Sequence, residues 1–377
     1  MIPQPARAVL AALRLDHAGA PALPRSWDEA LAFSDRTQLT LSLRARLAGT
    51  PVWGALPEAV RRRLDQNHAD NTARLGRLRE LQSRMVERFA AAGLEFVVLK
   101  GLSHSPAFVA DPRERVQYDL DFFCPLESVY RARDLLLTLG YEPLGGMEGF
   151  PTDHLPTLIR KTGWRWQGNF FDPDHPPSID LHFRFWDEET ERLPAPGVDQ
   201  FWTRRAGCEL SPADQLGYAA LHALRHLLRG SLRPAHVYEI ACFLQQRRAD
   251  AAFWTGWREA HLRELRSLES VIFGLARLYF GAVVPQEPPA PARRWLERYG
   301  WSPVEALFRP NKHELLLHLA LVDSARDRWR ILRRRLAPLR LPGPVEAVHV
   351  PDHELTPALR LRKGTRYARF VAGRIVH

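Results

Sequence analysis

The sequence predicts an α+β protein: a small mixed sheet with flanking helices, set between N-terminal and C-terminal helical regions. Three observations carry that expectation. Residues 1–93 space their apolar side chains at three and four. The middle third switches to short apolar runs that alternate or end in turn residues. Helical spacing returns from Ser211 onward. The expected parts are an N-terminal helical region over 1–93, a mixed core over 94–205, a helical domain over 206–336 and a basic, proline-punctuated tail over 337–377.

The elements follow in order. Over Ala69–Ala92, Leu75, Leu78, Leu81, Met85 and Phe89 share one helix face, and Gly93 stops the helix as a C-terminal cap does. Leu94–Leu99 is a short β-rich run, and Ser103–Val109 predicts a short helix. Arg115–Cys124 predicts a strand and Leu126–Leu139 a helix closed by Gly140. Trp164–Phe171 and Ser178–Trp186 both alternate, and the loop Asp172–Pro177 between them suggests a hairpin. On the second strand Asp180, His182 and Arg184 share one face, with Ile179, Leu181, Phe183 and Phe185 on the other. Ser211-Pro212-Ala213-Asp214 is a helix start, with serine as N-cap and proline in the first turn. The prolines between Pro285 and Pro291 interrupt the pattern. Helices are expected again near Pro303–Leu307 and Lys312–Arg335.

The bulk numbers set limits. The chain has 377 residues and is 45% apolar, enough for a real core. Its formal charge of +10 suits anionic ligands. Most of the excess lies late, with 13 Lys and Arg against 5 Asp and Glu from Leu321 to His377. RNA or an acidic partner could bind that tail. Cys124, Cys208 and Cys242 are odd in number and lack Cys-x-x-Cys spacing, which argues against a disulfide framework and a zinc site. No apolar run reaches the length of a transmembrane helix and no signal-peptide pattern opens the chain, so the expected location is cytoplasmic.

The chemistry concentrates in Val97-Val98-Leu99-Lys100-Gly101-Leu102-Ser103 and Tyr118-Asp119-Leu120-Asp121-Phe122-Phe123. Alternation on a strand puts Asp119 and Asp121 on the same side. Two carboxylates about 4 Å apart repel by roughly 4 kcal/mol at an effective dielectric near 20, so a divalent metal between them is the expected counter-charge. Gly101 permits a tight bend and close backbone approach to phosphate, while Lys100 and Ser103 offer a charge and a hydroxyl. Asp180 adds a third carboxylate on a later strand. Three such groups on neighbouring strands are what two-metal phosphoryl transfer requires.

These motifs resemble the nucleotidyltransferase superfamily, with its polymerase-beta-like fold. The likeness is greater still to a bacterial branch of uncharacterised nucleotidyltransferases showing Leu-Lys-Gly, then Asp-x-Asp, then Asp-Leu-His. Here these are Leu99-Lys100-Gly101, Asp119-Leu120-Asp121 and Asp180-Leu181-His182, and the similarity spans roughly Ser26 to Gly281. Leu102 departs from the superfamily's Gly or Ser, Val116 replaces the branch's proline, and Glu239 stands where the branch often has Asp.

The resemblance implies that Asp119 and Asp121 ligate Mg2+ (two ions, with Mn2+ an alternative) and that Asp180 completes the set and serves the general base. It also implies that Lys100, Gly101 and Arg115 face the phosphates of an NTP. Ser103 is a further nucleotide-binding candidate. His182 either contacts the nucleotide or fixes strand pairing. The expected reaction moves NMP from an NTP to an acceptor hydroxyl, with the acceptor open. A non-catalytic nucleotide- or RNA-binding protein and an Asp-x-Asp glycosyltransferase are the alternatives. His222 and His226 stand four apart, as zinc ligands do, but without the glutamate of a metalloprotease motif they are expected to be structural or cleft-lining. Trp164, Trp166 and Trp186 are expected in the core rather than under a base.

Overall fold

The computed structural model describes residues 1–16, 23–144, 153–336 and 365. Five helices precede the sheet: α1 (Gln4–Ala12), α2 (Trp27–Thr37), α3 (Thr40–Leu47), α4 (Pro51–Ala55) and α5 (Glu58–Ala91). The strands are β1 (Val97–Leu99), β2 (Asp119–Phe123), β3 (Glu142–Pro143), β4 (Leu158–Ile159) and β5 (Ser178–His182). Helices α6 (Leu126–Thr138), α7 (Glu188–Glu191) and α8 (Gln200–Thr203) accompany them. The helical part then runs through α9 (Pro212–Arg229), α10 (Pro234–Gln246), α11 (Ala251–Ala260), α12 (Arg263–Phe280), α13 (Ala290–Tyr299), α14 (Ser302–Glu305), α15 (His313–Leu321) and α16 (Ala325–Leu336). The expected α+β class is what the chain adopts.

The sheet order is β1-β2-β5-β4-β3. Strand β2 pairs antiparallel with β1 and parallel with β5, which makes the sheet mixed. The register sets Asp121 beside both Leu99 and Asp180. Apolar residues of β2 and β5 (Leu120, Phe122, Ile179, Leu181) pack into one core with α6 and the C-terminal half of α5. A larger core joins α1–α3 to α9, α10 and α12 and runs from Ile2 to Ile331. The acidic side chains of β2 and β5 are thus left to the sheet's other face.

Helix α5 begins at Glu58, well ahead of Ala69, because Pro57 starts it and Val60, Leu64, Asn67 and Asn71 continue the buried stripe. Gly93 adopts φ +63° at its end, the left-handed conformation expected of a cap. Ser211 caps α9 as predicted, accepting from the Asp214 N–H, and Gly230 ends it at φ +70°.

Four expectations need correction. Ser103–Val109 is not a helix; a 3-10 turn covers Gly101–His104 and irregular chain follows. Trp164–Phe171 is not a strand, so the hairpin does not form. Both edges of β5 are already taken, by β2 and β4, and Gly163 and Gly168 turn the chain at φ +78° and +85°. Strand β5 ends at His182 rather than Trp186. Lys312–Arg335 is two helices, α15 and α16, separated at Val322–Ser324. The tail 337–377, with its expected RNA or acidic partner, lies outside the described residues except for Thr365. No helix among the described residues is long and apolar enough to cross a membrane.

Candidate active site

Strand β1 delivers the first component. After Leu99 the backbone turns through Lys100 (φ 52°, ψ −154°) and Gly101 (φ 56°). The first of these is close to a region held almost only by glycine, so a lysine there stores strain. The turn folds the Lys100 side chain back beside β2, where its Nζ donates to Asp121 Oδ1 at 2.9 Å. Gly101 has no room for a side chain: a Cβ would lie 2.2 Å from Gln117 Nε2. That amide donates to the Asp119 carbonyl at 2.7 Å, so the glycine bend supports the backbone of the first aspartate.

Strands β2 and β5 deliver the carboxylates. One oxygen from each of Asp119, Asp121 and Asp180 lies within 4.8 Å of the others. Among the described residues this is the one group of three or more His, Cys, Asp or Glu whose ligand atoms are placed to share a metal ion. Asp180 Oδ1 is buried without a hydrogen-bond partner, a costly state for a carboxylate oxygen that nothing satisfies. An all-carboxylate donor set with an unsatisfied oxygen suits a hard divalent cation. The three aspartates can therefore hold a metal ion.

His182 sits beneath this group rather than at the surface. Its Nε2 donates to Asp121 Oδ1 at 3.0 Å and its Nδ1 lies 3.3 Å from Asp153 Oδ2. Asp153 in turn pairs with Arg225 of α9. Burial lowers the His182 pKa, but its carboxylate neighbours outweigh that and hold it at about 9. The imidazolium and Lys100 keep Asp121 well below the usual carboxylate range against the opposing effect of burial. Asp119 behaves oppositely. Burial first, then the charge of Asp121, push it up to about 6. Neighbouring carboxylates in a cleft whose proton affinities are pushed apart by burial and charge are the pattern of a candidate functional site.

The carboxylates open onto a cavity of about 370 Å3 between the sheet and helices α9 and α10. Lys100, Arg115, His182, His222 and His226 line it. Arg115 Nε donates to Glu239 Oε1 at 3.0 Å, and His104 Nδ1 meets the other oxygen at 2.9 Å. Ser103 is placed elsewhere. Its hydroxyl donates to the Lys100 carbonyl at 2.6 Å, and it lines a separate cleft with Leu102 and Cys208. Trp186 is buried in the core and donates to the Leu193 carbonyl. Trp164 and Trp166 meet edge to face, with Trp164 donating to Asp172.

Sequence reading missed Asp153, Gln117, Arg225, Arg233 and His236. Asp153 precedes no motif, and only the fold brings it under His182. Arg225 was within reach, since it falls three residues after His222 on the same helix face.

A mixed sheet carrying Asp-x-Asp on one strand and a third aspartate on its parallel neighbour, beside a Lys-Gly bend, defines a candidate nucleotidyl-transfer centre. The comparison with family models agrees: residues 24–281 match the model described as uncharacterised nucleotidyltransferase. The chain belongs to that family. Searches of curated proteins and of solved structures each return no match.

Proposed function

We propose that the chain transfers a nucleoside monophosphate from an NTP to an acceptor hydroxyl. The observation that carries this reading is the meeting of Asp119, Asp121 and Asp180 in one cavity with Lys100 and Arg115. In this reading the acceptor oxygen attacks the α-phosphorus, a new P–O bond forms, and the bond to the β-phosphate oxygen breaks. Pyrophosphate leaves with that electron pair.

Asp119 and Asp121 hold Mg2+, with Mn2+ as a substitute, and Asp180 completes the set. When bound, the divalent ion supplies positive charge at the reacting phosphate and favours the ionised acceptor hydroxyl. The chain's own groups do the rest. Lys100 and His182 fix the orientation of Asp121 through its Oδ1. Asp180, through the carboxylate oxygen not given to the metal, takes the acceptor's proton. Arg115, oriented by Glu239, faces the phosphates.

Asp119→Asn and Asp121→Asn should each reduce magnesium-dependent pyrophosphate release from NTP to background, with lysate fractions supplying acceptors. Wild-type turnover in both variants would overturn the reading. Retained nucleotide binding with no turnover in the wild type would favour a non-catalytic binder instead.

A further inference from the structure

Helix α9 carries His222, Arg225, His226 and Arg229 on one stripe, and the rest of its length is largely apolar core. The stripe lines the cavity, and the start of α10 adds Arg233 and His236. The three imidazoles cluster, with centroids 4.5 Å apart for His222–His226, 5.2 Å for His222–His236 and 5.3 Å for His226–His236. No carboxylate touches any of these rings among the described residues.

His222 Nδ1 lies 3.5 Å from Lys100 Nζ and 3.3 Å from Arg225 Nη2. Both neighbours can only donate, so Nδ1 accepts and Nε2 keeps the proton. His226 Nδ1 meets Ser231 Oγ at 3.0 Å, and His236 Nδ1 is buried with no partner. Burial, together with the surrounding cations, holds all three histidines well below their usual range, so they are neutral.

The cations differ in their commitments. Arg225 pairs with Asp153, and Arg229 with Asp187 and Glu191. Arg233 is exposed and makes no ion pair among the described residues. The histidines do not converge as metal ligands, which argues against a cation here. A cavity wall of cations and N–H donors, whose one carboxylate on these helices, Glu239, is already paired with Arg115 and His104, is complementary to an anion. Lys100 joins that wall to the aspartates, since its Nζ contacts both Asp121 and His222.

We infer that Lys100, His222, His226, Arg233 and His236 form a subsite for the terminal phosphates of a nucleoside triphosphate. The inference rests on the NTP reading above. The phosphate chain runs from the aspartates across Lys100 onto the helical wall, and departing pyrophosphate is held there. A monophosphate, with its one phosphate at the aspartates, does not reach the wall.

The test is calorimetric titration of the full chain in the presence of Mg2+ with inorganic tripolyphosphate and separately with AMP. Arg233→Gln and the double variant His226→Gln/His236→Gln should each weaken tripolyphosphate about tenfold and leave AMP within about twofold, whereas Arg233→Lys stays close to wild type. Arg233 is exposed, so its variants retain the fold, which a thermal melt verifies. The subsite is wrong if wild type does not bind tripolyphosphate, if the folded variants bind it normally, or if AMP weakens equally. Tripolyphosphate binding of the expected pattern without NTP turnover would sink the transfer reaction and leave the subsite standing. Turnover with an unchanged KM for NTP in Arg233→Gln would do the reverse.

Discussion

Lys100 does two things that conflict. Its ammonium neutralises Asp121 from 2.9 Å, yet its backbone occupies a conformation suited to glycine. Strain of this kind costs on the order of 1–3 kcal/mol and persists where a side chain is needed at that point. Comparing Lys100→Ala with Lys100→Gly separates the two effects, because both remove the charge. The glycine variant should be the more stable by about 1 kcal/mol or more in urea denaturation, and both should lose turnover. Equal stabilities would mean the turn is unstrained. The motif Leu-Lys-Gly was legible in the sequence. The strain was not, because it depends on the tertiary position of the lysine's neighbours.

At the scale of elements, helix α9 is fixed at both faces. One face bears the cavity stripe; elsewhere the helix is anchored by Asp214, whose carboxylate meets His261 Nε2 at 3.1 Å. His261 Nδ1 lies 2.6 Å from Glu269 of α12. Burial lowers the pKa of His261, but the two carboxylates prevail and hold it at about 9 against an ordinary 6.5. A raised folded-state pKa contributes stability that is complete below about pH 6.5 and is lost as pH rises through about 9. His261→Gln should therefore cost on the order of 1–3 kcal/mol at pH 6 and much less at pH 9.5. Denaturant midpoints measured across that range check it, and a constant difference between variant and wild type would refute the ion-pair account. The helix start at Ser211 was readable from sequence, whereas the buried cluster below it was not. Asp214 lies 47 residues before His261, and although Glu269 follows His261 by only eight, the two sit on either side of a helix boundary with no periodicity linking them.

At the scale of the molecule, the N-terminal helices are not an accessory. Val9, Leu10 and Leu13 are almost fully buried in the core that also contains α9 and α12, and the Leu15 N–H donates to the Phe280 carbonyl at 2.8 Å. Each such side chain contributes about 1.5–3 kcal/mol. Deleting residues 1–16 should then lower stability by more than about 4 kcal/mol, visible as a fall in melting temperature of the helical part. An unchanged melt would show that α1 is only docked on the surface.

Sequence alone determined the α+β class, the helix stops at Gly93 and Gly140, and the order Lys100-Gly101, Asp119-x-Asp121, Asp180. Each is a local property: periodicity, cap chemistry and alternation act over a few residues. The fold decided what required distant chain to meet. It set β2 parallel to β5 so that Asp121 stands beside Asp180, turned Ser103 away, and buried His182 between two carboxylates. It also withdrew the strand expected at Trp164–Phe171, because alternation proposes an edge and only the assembled sheet shows whether that edge is free.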